Sequence, residues 1–110
     1  MPAAGLYLHI PFCRASFSGL ESLYDAYVQA VCREAAQRAA HWAEMRFDTL
    51  YIGGGTPTVL TAEAIETLLT ACRQSLALAP DAEISIEANP GTVALDLLCA
   101  MRRLGVNRLS

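Results

Sequence analysis

Short β-favouring apolar runs alternate with longer stretches of helical periodicity along this chain, strand first. That alternation restricts it to folds of parallel strands joined by helical crossovers. Leu6 to Phe12 (LYLHIPF) sets Leu6, Leu8 and Ile10 against Tyr7 and His9 in period two, and Pro11 stops the run. From Leu20 to Met45, apolar residues recur at Leu20, Leu23, Tyr24, Tyr27, Val31, Ala35 and Trp42, the spacing of one face of a long helix. Thr49 to Ile52 (TLYI) reads as a short buried strand before a triple glycine. Thr61 is placed to cap a second helix with Ile65, Leu68, Leu69, Cys72 and Leu76 on one side, and Glu63 and Glu66 suit its N-terminal dipole. Pro80-Asp81 predicts a turn, after which Ile84, Ile86 and Ala88 alternate with Glu83, Ser85 and Glu87 until Asn89-Pro90-Gly91. Thr92 is expected to cap a third helix carrying Leu95, Leu98, Met101 and Leu104 and closed by Gly105, and Val106 to Ser110 reads as the start of a fourth strand.

The resulting β-α-β-α-β-α-β order fits either a doubly wound sheet or part of a β/α barrel. The third strand separates them: its Glu83, Ser85, Glu87 face is too polar to lie under a helix but suits a barrel lumen. The α/β class expected is therefore the N-terminal portion of a partial β/α (TIM-like) barrel. Four strands cannot close a barrel, so residues 1–110 are expected to form one incomplete barrel domain of a larger protein, with an open sheet edge prone to self-association.

Composition narrows the partners. Apolar residues make up 54% of the chain and charged residues 17%, which excludes disorder. A net charge of −3 with no basic run argues against nucleic acid and anionic lipid, leaving small molecules or protein. No window is long and apolar enough to span a bilayer and no signal-peptide pattern opens the chain, so the expected location is the cytoplasm. There the four cysteines, Cys13, Cys32, Cys72 and Cys99, would be reduced, and none forms a C-x2-C pair.

Three segments at the ends of strands could carry chemistry. Gly53-Gly54-Gly55-Thr56-Pro57 removes every Cβ from a turn that directly follows a strand, so its backbone N–H groups could cradle an anionic or zwitterionic group; on these residues alone it serves equally as a plain strand-to-helix turn. Glu87 ends the third strand, where it is either a carboxylate facing the same mouth or a solvated acid. Cys13 follows the first strand and is either a small buried hydrophobe or a ligand. His9 reads as a lumen or core histidine, and Tyr24, Tyr27 and Trp42 as core aromatics.

Taken as a set and in order, LYLHIPFC, YIGGGTPT, ISIEANPGT and LGVNRLS resemble the N-terminal half of the radical SAM barrel of the oxygen-independent coproporphyrinogen III oxidase family. The phrase Glu87-Ala88-Asn89-Pro90 points to its heme chaperone branch. The resemblance implies that Cys13 matches the first cysteine of a C-x3-C-x2-C motif holding a [4Fe-4S] cluster, whose fourth iron is chelated by S-adenosylmethionine. It implies further that Gly53, Gly54, Gly55, Thr56 and Pro57 receive the methionine end of that molecule, that Glu87 contacts it, and that Tyr7 lines the site. Heme and a heme-acceptor protein are the partners implied for the intact protein; the oxidase itself and a cofactor-free half-barrel are the alternatives.

The motif is incomplete here. Phe17 and Leu20 stand four and seven residues after Cys13, and neither can ligate iron. The expectation is that a short segment holding two ligands is missing between Ser16 and Gly19, and that the chain as it stands binds no cluster.

Overall fold

The computed structural model describes residues 3–12, 20–89 and 93–110, so Cys13, the Ser16–Gly19 stretch and the expected cap Thr92 lie outside the described residues. Four strands, β1 (Ala3–Ile10), β2 (Arg46–Gly54), β3 (Leu78–Ile86) and β4 (Arg108–Leu109), alternate with three helices, α1 (Leu20–Arg38), α2 (Ala62–Ser75) and α3 (Leu95–Leu104). The strands form one sheet in the order β1-β2-β3-β4, and every neighbouring pair is parallel. Sequential order without a reversal is the arrangement of a β/α barrel wall; a doubly wound sheet reverses direction part-way.

The period-two alternation decides which side of the sheet is dry. Leu6, Leu8, Ile10, Leu50, Ile52, Ile84 and Ile86 pack against Val28 of α1, Ile65, Leu68 and Leu69 of α2 and Met101 of α3. The intervening residues, Gly5, Tyr7 and His9 on β1, Thr49 and Tyr51 on β2, Glu83 and Ser85 on β3, populate the other face. Tyr7 there is 55% exposed. Thr61 caps α2 as expected, its hydroxyl accepting from the Ala64 N–H at 3.1 Å. Gly105 ends α3 with φ at +109°, and the Val106 N–H returns to the Met101 carbonyl at 3.0 Å.

Several boundaries differ from the sequence reading. β1 begins at Ala3 because it pairs with β2 from Arg46 onward, and its ladder stops at Ile10, before Phe12. α1 ends at Arg38, seven residues earlier than its periodicity suggests, and the chain then curls so that Trp42 meets Phe47 edge-on with the Arg38 guanidinium over its ring. Leu23 is 50% exposed, and the buried positions among the described side chains of that helix are Val28 and Ala35. Pro80 and Asp81 lie inside β3, yet they retain the character of a turn: pairing with β2 jumps from Leu78 to Glu83 while β2 advances only from Phe47 to Thr49. Ala94, not a threonine, is the N-cap of α3, with no side-chain cap bond.

Candidate functional site

The C-terminal ends of β1, β2 and β3 meet, and each is held by a specific contact. Phe12, just past β1, lies 4.6 Å from the Tyr24 ring and 5.3 Å from the Tyr27 ring, so the aromatic stripe of α1 grips the strand end. The Tyr27 hydroxyl donates to the His9 carbonyl. Burial, and secondarily the charge of Glu34, push that phenol above its usual pKa, so it stays a donor.

The glycine turn is stitched to the same strand end. The Gly55 N–H donates to the Ile10 carbonyl at 2.8 Å and the Thr56 N–H to the Phe12 carbonyl at 2.6 Å. Two of the N–H groups expected to be available to a ligand are therefore engaged within the protein, and the turn anchors the root of the segment that carries Cys13. Gly54 has φ at +120°, and a Cβ there would stand 2.5 Å from the Ile10 carbonyl oxygen and 3.0 Å from the His9 ring. Gly53 serves a different neighbour: a Cβ would overlap Oε1 of Glu87 and lie 2.7 Å from Cε1 of Tyr51.

Glu87 follows β3, its N–H donating to the Ile52 carbonyl at 2.9 Å, while Ser110 clasps the residues on either side through its own N–H to the Ile86 carbonyl and its carbonyl to the Ala88 N–H. Gly55, Thr56 and Pro57 face Glu87, Ala88, Asn89 and Ser110 across an open depression of about 280 Å³. The glycine turn, the acid and the root of the Cys13 segment thus share one end of the sheet. Tyr7 sits two residues before His9 on the open face, its ring 5.9 Å from that of Tyr51 at 14° and its hydroxyl 3.3 Å from Nδ1 of His9. It does not line the depression; it lines a different cavity, beside β1 and α1.

A larger cavity, about 480 Å³, opens elsewhere, between β1 and α1 where Leu6, Val31, Ala35, Trp42 and Phe47 form apolar walls. None of the glycine turn, Glu87 or the C-terminal strand ends lines it. Two side chains not singled out from the sequence belong to the mouth: Tyr51, whose hydroxyl donates to Ser110 Oγ at 3.0 Å, and Ser110 itself. Alternation two residues back from Gly53 would have placed Tyr51 there; nothing local marks Ser110.

No protein-family model matches the chain. It is 40% identical to the heme chaperone HemW of Escherichia coli K12, over 100% of this chain and 32% of that protein. It is also 40% identical to the oxygen-independent coproporphyrinogen III oxidase of Salmonella typhimurium LT2, over 96% of this chain and 25% of that one. A solved structure, coproporphyrinogen III oxidase (HemN) from Escherichia coli, described as a radical SAM enzyme, superposes with a TM-score of 0.86 at 35% identity, covering 98% of this chain and 27% of its own. This chain is a homologue of HemW and HemN. Its four-stranded parallel sheet corresponds to a fragment of the HemN fold, and the chain spans between a quarter and a third of the length of these relatives.

HemW and HemN homology raises the question of whether the residues present fit a cluster. They do not. Positions 17 and 20 are Phe and Leu, and Cys32, Cys72 and Cys99 stand on α1, α2 and α3, in the helical layer behind the sheet. Burial pushes the Cys72 thiol up to about 11, which keeps it protonated. Among the described residues no three His, Cys, Asp or Glu side chains converge as a metal site. Among the described residues no helix is long and apolar enough to cross a membrane.

Proposed function

We propose that this chain forms the opening portion of a HemW-like radical SAM barrel and supplies the wall that receives the methionine end of S-adenosylmethionine. The observation that carries the reading is the meeting of the glycine turn and Glu87 across one depression at the C-terminal edge of a parallel sheet, with the β1 end bonded to the turn. In this reading Glu87 accepts from the ammonium group of the ligand, and Gly55, Thr56 and Pro57 form the opposing wall. Cys13 is the one motif thiol of the chain. The intact protein would bind a [4Fe-4S] cluster and heme in the cytoplasm and pass heme to an acceptor protein. No step is assigned to the cluster here, because this chain lacks its donor set.

The Glu87-Ala88-Asn89 phrase supports the chaperone over the oxidase, and the superposition on HemN supports the oxidase as the second reading. Calorimetric titration of the chain with S-adenosylmethionine tests the wall. A hydrogen bond to a charged group is worth about 1.5–3 kcal/mol, so Glu87→Gln should weaken binding about ten- to hundredfold. Equal binding by the variant, or none by the native chain, would overturn the reading and favour a cofactor-free half-barrel. A hemin titration separates the two family readings: a shifted Soret band is expected for a chaperone, and its absence favours the oxidase.

A further inference from the structure

We propose that Tyr51 and Ser110 are positioning residues for Glu87. Tyr51 is on β2 and Ser110 follows β4, so the hydrogen bond between their hydroxyls, 3.0 Å long, reaches across β3 on the open face of the sheet. The register places Tyr51 opposite Ser85, and Glu87 is the next residue of β3 on that face, so the bridge crosses β3 beside the Glu87 side chain.

Three further observations agree. The empty Cβ position of Gly53 is approached by Oε1 of Glu87 and, at 2.7 Å, by Cε1 of Tyr51, so the carboxylate and the ring edge share the space over the glycine. The Tyr51 ring cannot swing away toward β1, because Tyr7 stacks against it. Ser110 fixes the other end of the bridge, since its backbone bonds to Ile86 and Ala88 bracket Glu87. Without the bridge, a glutamate over a glycine has several rotamers open to it; with it, one is selected.

The ligand in question is the zwitterionic methionine end proposed above, so the affinity arm of the test rests on that reading while the rotamer arm does not. The chain would be labelled for NMR, and side-chain couplings and the carboxyl resonance of Glu87 compared in the native protein, Tyr51→Phe and Ser110→Ala, with Tyr24→Phe as a control remote from the bridge. Tyr51→Phe keeps the ring and its stack, so the fold should persist. A single Glu87 rotamer is expected in the native protein and the control, and averaged rotamers in both hydroxyl deletions. The double variant should average no further than either single one, because both remove the same bond. An unchanged rotamer in either single variant, or additive effects in the double, would overturn the proposal. In the affinity arm, Tyr51→Phe should weaken S-adenosylmethionine binding about two- to tenfold and do nothing further in a Glu87→Gln background. A native chain that binds no S-adenosylmethionine would remove the functional reading and leave the rotamer result to decide the positioning role.

Discussion

Two adjacent glycines at the mouth do different things, and what each side chain would meet tells them apart. At Gly54 an added methyl would press on the Ile10 carbonyl, which is backbone, at a φ of +120° that L-residues rarely adopt. Neither partner can give way. At Gly53 the obstacle is the end of the Glu87 side chain, which rotates freely once displaced, and the edge of the Tyr51 ring. Gly54→Ala should therefore cost about 1–3 kcal/mol of stability in urea unfolding. Gly53→Ala should cost less than Gly54→Ala, because only side chains oppose it, but it presses on the Tyr51 ring edge and displaces the carboxylate, losing S-adenosylmethionine binding while the fold stays. The opposite ranking would mean that the turn owes its glycines to a single steric cause.

At the scale of elements, the boundary between α3 and β4 shows how a side chain can stand in for a strand. Val106 turns back to α3, leaving Asn107 beside β3, where its side chain accepts from the Ile84 N–H at 2.9 Å and donates to the Ala82 carbonyl at 3.1 Å. The Asn107 N–H adds a bond to the Ile84 carbonyl. The carboxamide thus continues the ladder where the β4 backbone has not yet begun. Asn107→Ala leaves the Ile84 N–H without that partner and should cost about 1–3 kcal/mol, against a few tenths for Gln37→Ala at an exposed position of α1, both measured by urea unfolding. An equal cost at the two positions would show that the carboxamide bonds are dispensable.

The same element shows what the sequence carried and what it could not. Period-two alternation placed Leu6, Leu8, Ile10, Ile84 and Ile86 on the dry face correctly, because burial on one side selects residues locally. Thr61 and Gly105 declared helix ends through bonds made within a few residues. The start of β1 at Ala3 and the bulge at Pro80-Asp81 depend on pairing with β2, a partner remote in the chain, so no window could reveal them. In the site, the glycine turn and Glu87 were visible as punctuation at strand ends, whereas Ser110 matters through bonds to Ile86, Ala88 and Tyr51, all more than 20 residues away.

For the whole molecule, the arrangement that creates the mouth also leaves apolar surface bare. β1 pairs on one side only, β4 likewise, and the face opposite the helices carries Tyr7 at 55% exposure. Leu109 on β4 is 53% exposed, beside an apolar hollow of about 230 Å³ between α3 and β4. Parallel sheets ordinarily persist with both faces covered, and an unpaired parallel edge is a template for another strand. The chain should therefore self-associate through its sheet edges, with a sedimentation coefficient that rises with protein concentration. Leu109→Lys places a charge on the β4 edge and should shift the distribution toward monomer. Leu23→Lys, which alters an equally exposed leucine on α1, should leave it unchanged, since that helix presents no unpaired backbone. A single monomeric species at every concentration would show that the short β4 edge and the polar rows Glu83–Arg108 and Tyr51–Ser110 suffice to keep the open sheet apart. Equal dissociation by the two lysines would instead assign the association to scattered apolar surface and not to the edges.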